Sequence, residues 1–236
     1  YPLLMIVSFR QELSVNGVGL MGTVLVIAFI IHLVPTVISV FLFRGNKLSE
    51  AAALRFGTVF QSCGFVGYPL LKAVFGDLGA FYCACFVLFS TLYMWTVGAF
   101  MLSVGKKRSF GTHLKALANP TLIGAVVGVL LFLCRIKLPS FLMLSFSAVG
   151  EMAIPLSMIV LGSMFRELPL NEVFLSIDTY IAAFIKLIAL PFAVLVGCMI
   201  FGISKWTSYI CILMAALPTT VCAPLMAEKF GASRVK

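Results

Sequence analysis

Charged residues are scarce in this chain of 236 residues: they make up 11% of it, and only eight are acidic. Soluble domains contain about 25% charged residues and about 45–50% apolar ones, whereas this chain is 62% apolar with a mean hydropathy of +1.14. A single aqueous core of this size cannot enclose so much apolar surface. The composition excludes a soluble enzyme, a disordered segment and a disulfide-rich secreted module, and it predicts a polytopic membrane protein.

Several chemical signatures are missing as well. The seven cysteines lie inside apolar runs without a CxxC pair, so we interpret them as small apolar residues and expect neither a metal site nor disulfides. No GxGxxG or Walker pattern supports a nucleotide-driven pump, and no HExxH or GxSxG motif supports a protease or lipase. We therefore expect no enzyme, no cofactor and no catalytic residues.

The net charge of +9 comes from basic residues that stand between the apolar runs. This arrangement is typical of membrane orientation and not of nucleic-acid binding. Alternate loops carry five and eleven Lys and Arg residues, which together with Lys186 account for all 17. The positive-inside rule then places the loop 105–117 in the cytoplasm and the protein in the cytoplasmic membrane as a multi-pass protein.

Seven apolar runs are suited to cross the bilayer, and a half-length run occupies residues 1–9. The seven are 18–43, 56–71, 78–104, 118–134, 138–165, 179–204 and 206–227. Membrane strands alternate polar and apolar residues and these runs do not, so we predict helices. Glycines and a proline interrupt the run 56–71, and two prolines interrupt the run 206–227, which indicates two broken helices.

The chain also resembles itself at a spacing of about 155 residues. Pro2–Val7 matches Pro155–Val160 at five of six positions, and Pro69-Leu70-Leu71 matches Pro224-Leu225-Met226. Because one period contains five helices, an odd number, the second copy enters the membrane from the opposite side. We predict an all-α protein of two inverted five-helix repeats, 1–117 and 118–236, that lacks one and a half helices at its start and one at its end.

Four stretches resemble the auxin efflux carrier family, whose bacterial members include presumed malate and malonate carriers. They are Gly64–Leu71 with Phe75-Gly76, Asn119-Pro120, Ile154–Leu156 with Gly162, and Ala216–Pro218 running to Phe230-Gly231. The resemblance implies ten helices in two inverted repeats, with two interrupted helices that cross at the midplane beside the substrate. The family usually has Asn where Ser62 and Cys222 stand, and a small or amide residue where Glu151 stands, so the substrate stays open.

The candidate substrate site lies where the broken helices cross. Proline removes a helical hydrogen bond and releases backbone groups, so we place the crossover at Pro69 and at Pro218, with Pro224 as an alternative. The polar and small residues around these breaks complete the predicted site: Ser62, Cys63, Gly64, Thr219, Thr220 and Cys222. The alternatives are packing kinks and hydroxyl groups that bond to their own helix.

Two charges inside apolar runs are candidates for coupling or substrate attraction. Glu151 is expected to face the bundle interior and to carry a coupling proton. The alternatives are a neutral, hydrogen-bonded structural carboxyl and a carboxyl near the interface. Lys186 is expected to pair with Glu151 or attract the anion, or else to extend to the membrane surface. His32 is interpreted as a structural histidine, with proton relay as the alternative.

These features predict a secondary transporter for a small organic anion such as a dicarboxylate, working by alternating access. Its partners would be the anion, a proton or sodium as coupling ion, and the lipid bilayer; uncoupled transport and a homodimer stay open. A sodium symporter of the bile-acid type is the main alternative. A channel or receptor is the second.

Overall fold

The computed structural model describes residues 2–9, 15–103, 120–136, 138–165, 176–220 and 222–230. In chain order the α-helices are α1 Pro2–Ser8, α2 Val15–Leu42, α3 Leu48–Val59, α4 Tyr68–Tyr93, α5 Ala99–Leu102, α6 Pro120–Leu133, α7 Ser140–Glu151, α8 Ala153–Phe165, α9 Ile177–Phe184, α10 Leu190–Ile200, α11 Lys205–Ala215 and α12 Ala223–Phe230. Three π-helical turns join some of them: π1 Cys63–Gly67, π2 Met94–Gly98 and π3 Ile185–Ala189. The predicted all-α membrane fold is confirmed.

Three helical segments among the described residues are long and apolar enough to cross a membrane: Gly19–Leu42, Cys63–Leu102 and Ile177–Ile200. The second is 40 residues long, twice what one crossing needs, and it bends sharply at Gly76, whose φ is 62°. A side chain built on Gly79 would lie 2.2 Å from the carbonyl oxygen of Leu71, although eight residues of straight helix span roughly 12 Å. The chain therefore turns back at Gly76, as the separate runs 56–71 and 78–104 predict.

Helix α1 packs closely against α6 and α7. Glycines make this possible: a Cβ on Gly124 would lie 2.4 Å from the Pro2 carbonyl oxygen, and one on Gly150 would lie 3.0 Å from backbone atoms of Leu4. Such small residues let helix backbones approach each other where lipid supplies no hydrophobic drive for association. This contact joins the start of the chain to the helices that lead into its second half.

The two broken helices cross near the middle of the structure. The first consists of α3 and then π1 with the start of α4, and the second consists of α11 and α12. Their non-helical segments pair as a short antiparallel bridge between Gln61 and Thr219. The antiparallel pairing is compatible with the inverted repeats that the sequence predicts, and these stay a prediction.

The predicted division between the repeats at residues 117 and 118 and the loop 105–117 lie outside the described residues. Both stay predictions. So does the sidedness that the charge distribution of the loops indicates.

Candidate functional site

The first helix breaks at Phe60–Ser62 and not at Pro69. Helix α3 ends at Val59, and π1 begins at Cys63. Pro69 is the second residue of α4, which follows the turn π1 directly, so it lies inside the half-helix that begins at Cys63. The prediction that Pro69 marks the crossover is therefore wrong by about two helical turns.

The break is maintained by hydrogen bonds to the other broken helix. The Ser62 amide donates to the Pro218 carbonyl at 2.8 Å, and the Thr220 amide donates to the Phe60 carbonyl at 3.1 Å. Pro218 therefore lies at the crossover, as the sequence predicts. Because the partner strand supplies these bonds, the backbone can leave the helical path without burying unpaired groups.

The carboxyl end of α3 is capped entirely from the second half of the chain. A helix leaves its last four carbonyl groups without partners, here those of residues 57 to 60. Gly57 accepts from the Thr219 hydroxyl at 2.9 Å, and Phe60 accepts from the Thr220 amide. The remaining two, Thr58 and Val59, accept from the Lys186 ammonium.

Lys186 lies inside the protein and does not extend to the surface. It is 2% exposed, and its Nζ donates to the carbonyls of Thr58 at 3.1 Å and Val59 at 3.0 Å, and to Gln61 Oε1 at 3.3 Å. It belongs to the turn π3, where one extra residue per turn changes the direction of neighbouring side chains. The cation is thus placed at the negative end of a helix dipole.

Glu151 is not placed as predicted. It ends α7 with its side chain 47% exposed, and its Oε1 accepts from Lys72 Nζ at 2.6 Å. The expected position inside the bundle and the expected pairing with Lys186 are therefore wrong, since Lys72 lies at the surface beside the end of α7 and supplies a nearer cation. A role in coupling stays a prediction.

A cavity of about 330 Å³ lies beside the crossing, within the range of small-molecule sites. It is lined by both broken helices and by α4, π2 and α6; the lining residues are Gln61, Cys63, Gly64, Phe65, Val87, Ser90, Thr91, Met94, Trp95, Thr121, Thr220, Cys222 and Met226. Four predicted site residues are brought together there: Cys63, Gly64, Thr220 and Cys222. Ser62, Pro218, Thr219 and Pro69 do not line it.

Gln61 was missed by sequence reasoning, although it follows the pattern of the site. Its side chain is buried, and its Oε1 accepts from Lys186. Its Nε2 and the buried Ser62 hydroxyl have no hydrogen-bond partner among the residues that the structure describes. The amide that the family resemblance leads one to expect at position 62 is thus present one residue earlier, beside the cavity.

His32 connects the site to α2 as a structural residue. Its Nδ1 lies 2.7 Å from the Ala28 carbonyl oxygen and its Nε2 lies 3.0 Å from the hydroxyl of Ser90, which lines the cavity. Its ring packs among aromatic rings, including that of Phe60 at 5.8 Å. Both ring nitrogens have partners, as expected for a histidine with a structural role.

The described residues contain no group of three or more His, Cys, Asp or Glu side chains that could hold a metal ion. The polar groups that line the cavity are instead the Gln61 amide, hydroxyls, two thiols and an indole, with the Lys186 ammonium nearby. Carboxylates are absent from its lining among the described residues. Such donors can hold an anion.

A family described as membrane transport protein matches residues 1–110 and 107–235, which together are nearly the whole chain. No curated protein matches it.

Proposed function

Because the chain belongs to the membrane transport protein family, the auxin-efflux-carrier-like family of transporters, we propose that it is a secondary carrier. It moves a small organic anion, such as a dicarboxylate, across the cytoplasmic membrane by alternating access. The observation that carries this proposal is the pairing of two broken helices at Gln61 and Thr219 beside a cavity of about 330 Å³. Carriers built from repeats bind their substrates at such a crossing.

The electrostatics of the crossing favour an anion. Lys186 supplies a positive charge next to Gln61, and Gly64 lies in the first turn of the half-helix that begins at Cys63. The first turn of a helix lies at the positive end of the helix dipole and favours a bound carboxylate. The Thr220 hydroxyl and the Gln61 amide add donors at the same cavity.

Transport by alternating access requires the two repeats to rock against each other around this site. The hydrogen bonds across the crossing join the repeats at their breaks, so the crossing acts as the fixed point of the motion. Proton coupling and a homodimer belong to the same proposal. Glu151, whose exposed carboxylate is paired with Lys72, is not expected to carry the proton.

The test is uptake of a labelled dicarboxylate by proteoliposomes that contain the protein, with protein-free liposomes as control. We expect uptake that is stimulated by unlabelled anion on the opposite side, because a carrier returns faster when loaded. Flux without this counterflow would indicate a channel and contradict the proposal. Replacing sodium by choline distinguishes the sodium symporter, and imposing a pH gradient tests proton coupling.

A further inference from the structure

Three oxygen atoms converge on the Lys186 ammonium at the crossing. They are the carbonyl oxygens of Thr58 and Val59, at 3.1 and 3.0 Å, and Gln61 Oε1 at 3.3 Å. The three acceptors match the three N–H donors of an ammonium group. The lysine belongs to the second half of the chain, more than 120 residues away from all three.

The break itself creates the two backbone acceptors. In a continuous helix, Thr58 would accept from the Ser62 amide and Val59 from the Cys63 amide. Here the Ser62 amide donates to Pro218, and the Cys63 amide donates to the Gln61 carbonyl. Two buried carbonyls are left at the end of α3, and the ammonium occupies the position where both can be satisfied.

No carboxylate of the described residues lies within 4 Å of this ammonium. The other titratable groups that interact with it are the Cys63 thiol and the His32 ring. The imidazole contacts Ala28 and Ser90, and the thiol contacts the Gln61 carbonyl. Among the described residues, the direct contacts of the positive charge are thus with oxygen dipoles and not with a carboxylate.

Unwound carbonyls and the carboxyl ends of half-helices are the ligands with which secondary carriers bind sodium. We propose that the Lys186 ammonium is a built-in replacement for such a cation: it occupies a monovalent-cation site formed by Thr58, Val59 and Gln61. Removing the side chain opens that site to a free cation. The expected effect on transport rests on the proposed carrier function. The cation site itself does not, because its occupancy can be measured without transport.

The experiment compares thermal unfolding of the purified protein in choline chloride with unfolding in sodium, potassium or ammonium chloride at the same ionic strength. For Lys186→Ala in choline we expect a fall in Tm of roughly 5–10 °C, because three buried acceptors lose their donor. A small cation should restore most of this loss with a saturable dose dependence. The unchanged protein should give the same Tm in choline and in sodium.

Two controls isolate the site. Lys186→Met fills the space with an uncharged chain, so its Tm should be lowered without any response to cations. Lys72→Ala removes a lysine at the surface and should show no cation response either. A folded Lys186→Ala protein whose Tm is the same in choline and in every cation would overturn the proposal.

The cation dependence of uptake is a second measurement, and it does not depend on the stability of the variant. Uptake by the unchanged protein should continue when sodium is replaced by choline, whereas uptake by Lys186→Ala should need the cation that restores its Tm. If uptake by the unchanged protein required sodium, the proposal that Lys186 replaces a bound cation would be refuted. If no substrate is transported by any form but the cation response of Lys186→Ala is present, the carrier function fails and the cation site stands.

Discussion

Two lysines show how differently this protein treats a positive charge. Lys186 is 2% exposed and is held by three uncharged oxygen atoms at the crossing. Lys72 has a side chain that is 37% exposed, and it faces the carboxylate of Glu151 at 2.6 Å. The charge of Lys72 is cancelled by its partner, whereas that of Lys186 is stabilised by dipoles and leaves the crossing positive. The proposed anionic substrate would therefore be attracted to the crossing and not to the surface pair.

The same comparison separates the energetic roles of the two side chains. An exposed ion pair stabilises a fold by about 0–1 kcal/mol. A buried acceptor that loses its donor costs about 1–3 kcal/mol, and Lys186 serves three of them.

The largest effect is expected from Gln61→Glu, which keeps the shape of the side chain but places a carboxylate beside Lys186. The ion pair cancels the positive charge next to the cavity, so we expect anion uptake to fall about a hundredfold. The fold should survive, since the ammonium keeps all its acceptors. Gln61→Met, which adds no charge, serves as control and should lose less uptake. Equal losses in both variants would show that the positive charge does not attract the substrate.

Lys186→Met and Lys72→Met form the next pair. We expect the first to lower the free energy of unfolding by roughly 2–4 kcal/mol, because it leaves Thr58, Val59 and Gln61 without a donor. The second should lower it by about 1 kcal/mol or less. The free energy of unfolding of both variants is measured by denaturant or thermal unfolding in the same detergent. Similar losses would contradict the assignment of Lys186 as the cap of α3.

Two neighbouring threonines allow a finer test of the cavity. Thr220 lines it, whereas Thr219 is exposed and donates to the Gly57 carbonyl. If the Thr220 hydroxyl donates to a bound carboxylate, Thr220→Val should raise the KM for uptake about tenfold, as expected for a hydrogen bond to a charged group. Thr219→Val should leave KM unchanged. If KM rose in Thr219→Val and not in Thr220→Val, the substrate would have to bind beside Thr219, outside the cavity that Thr220 lines.

The helical architecture could be predicted because lipid imposes strong rules on sequence. Long uncharged runs in lipid must be helices. The inversion of the second repeat, which the odd number of helices per period implies, stays a prediction. The bend at Gly76 between the runs 56–71 and 78–104 follows from the same reasoning. The close contacts at Gly124 and Gly150 could not be predicted, because they depend on which helix happens to pack against each glycine.

Several residues of the site could be predicted from the sequence, but the position of the helix break could not. Thr220, Gly64, Cys63 and Cys222 line the cavity, but the break lies at Phe60–Ser62, where no residue of the sequence is a helix breaker. The backbone leaves the helix there because Pro218 and Thr220 offer bonds from the other half of the chain. Local sequence carries no signal of such a partner. For the same reason Gln61 was overlooked.

The smallest effect is expected from Glu151→Gln, which tests the exposed ion pair between Lys72 and Glu151. The carboxylate is half exposed, with its charge paired to Lys72 and a further hydrogen bond from Ser147. We therefore expect the variant to lose about 1 kcal/mol or less of stability and to keep the pH dependence of uptake measured for the unchanged protein. Lys72→Met, which removes the other partner, should behave alike. Uptake by Glu151→Gln that no longer responds to pH would instead give this carboxylate the coupling role, and the surface pair would then be part of the transport mechanism.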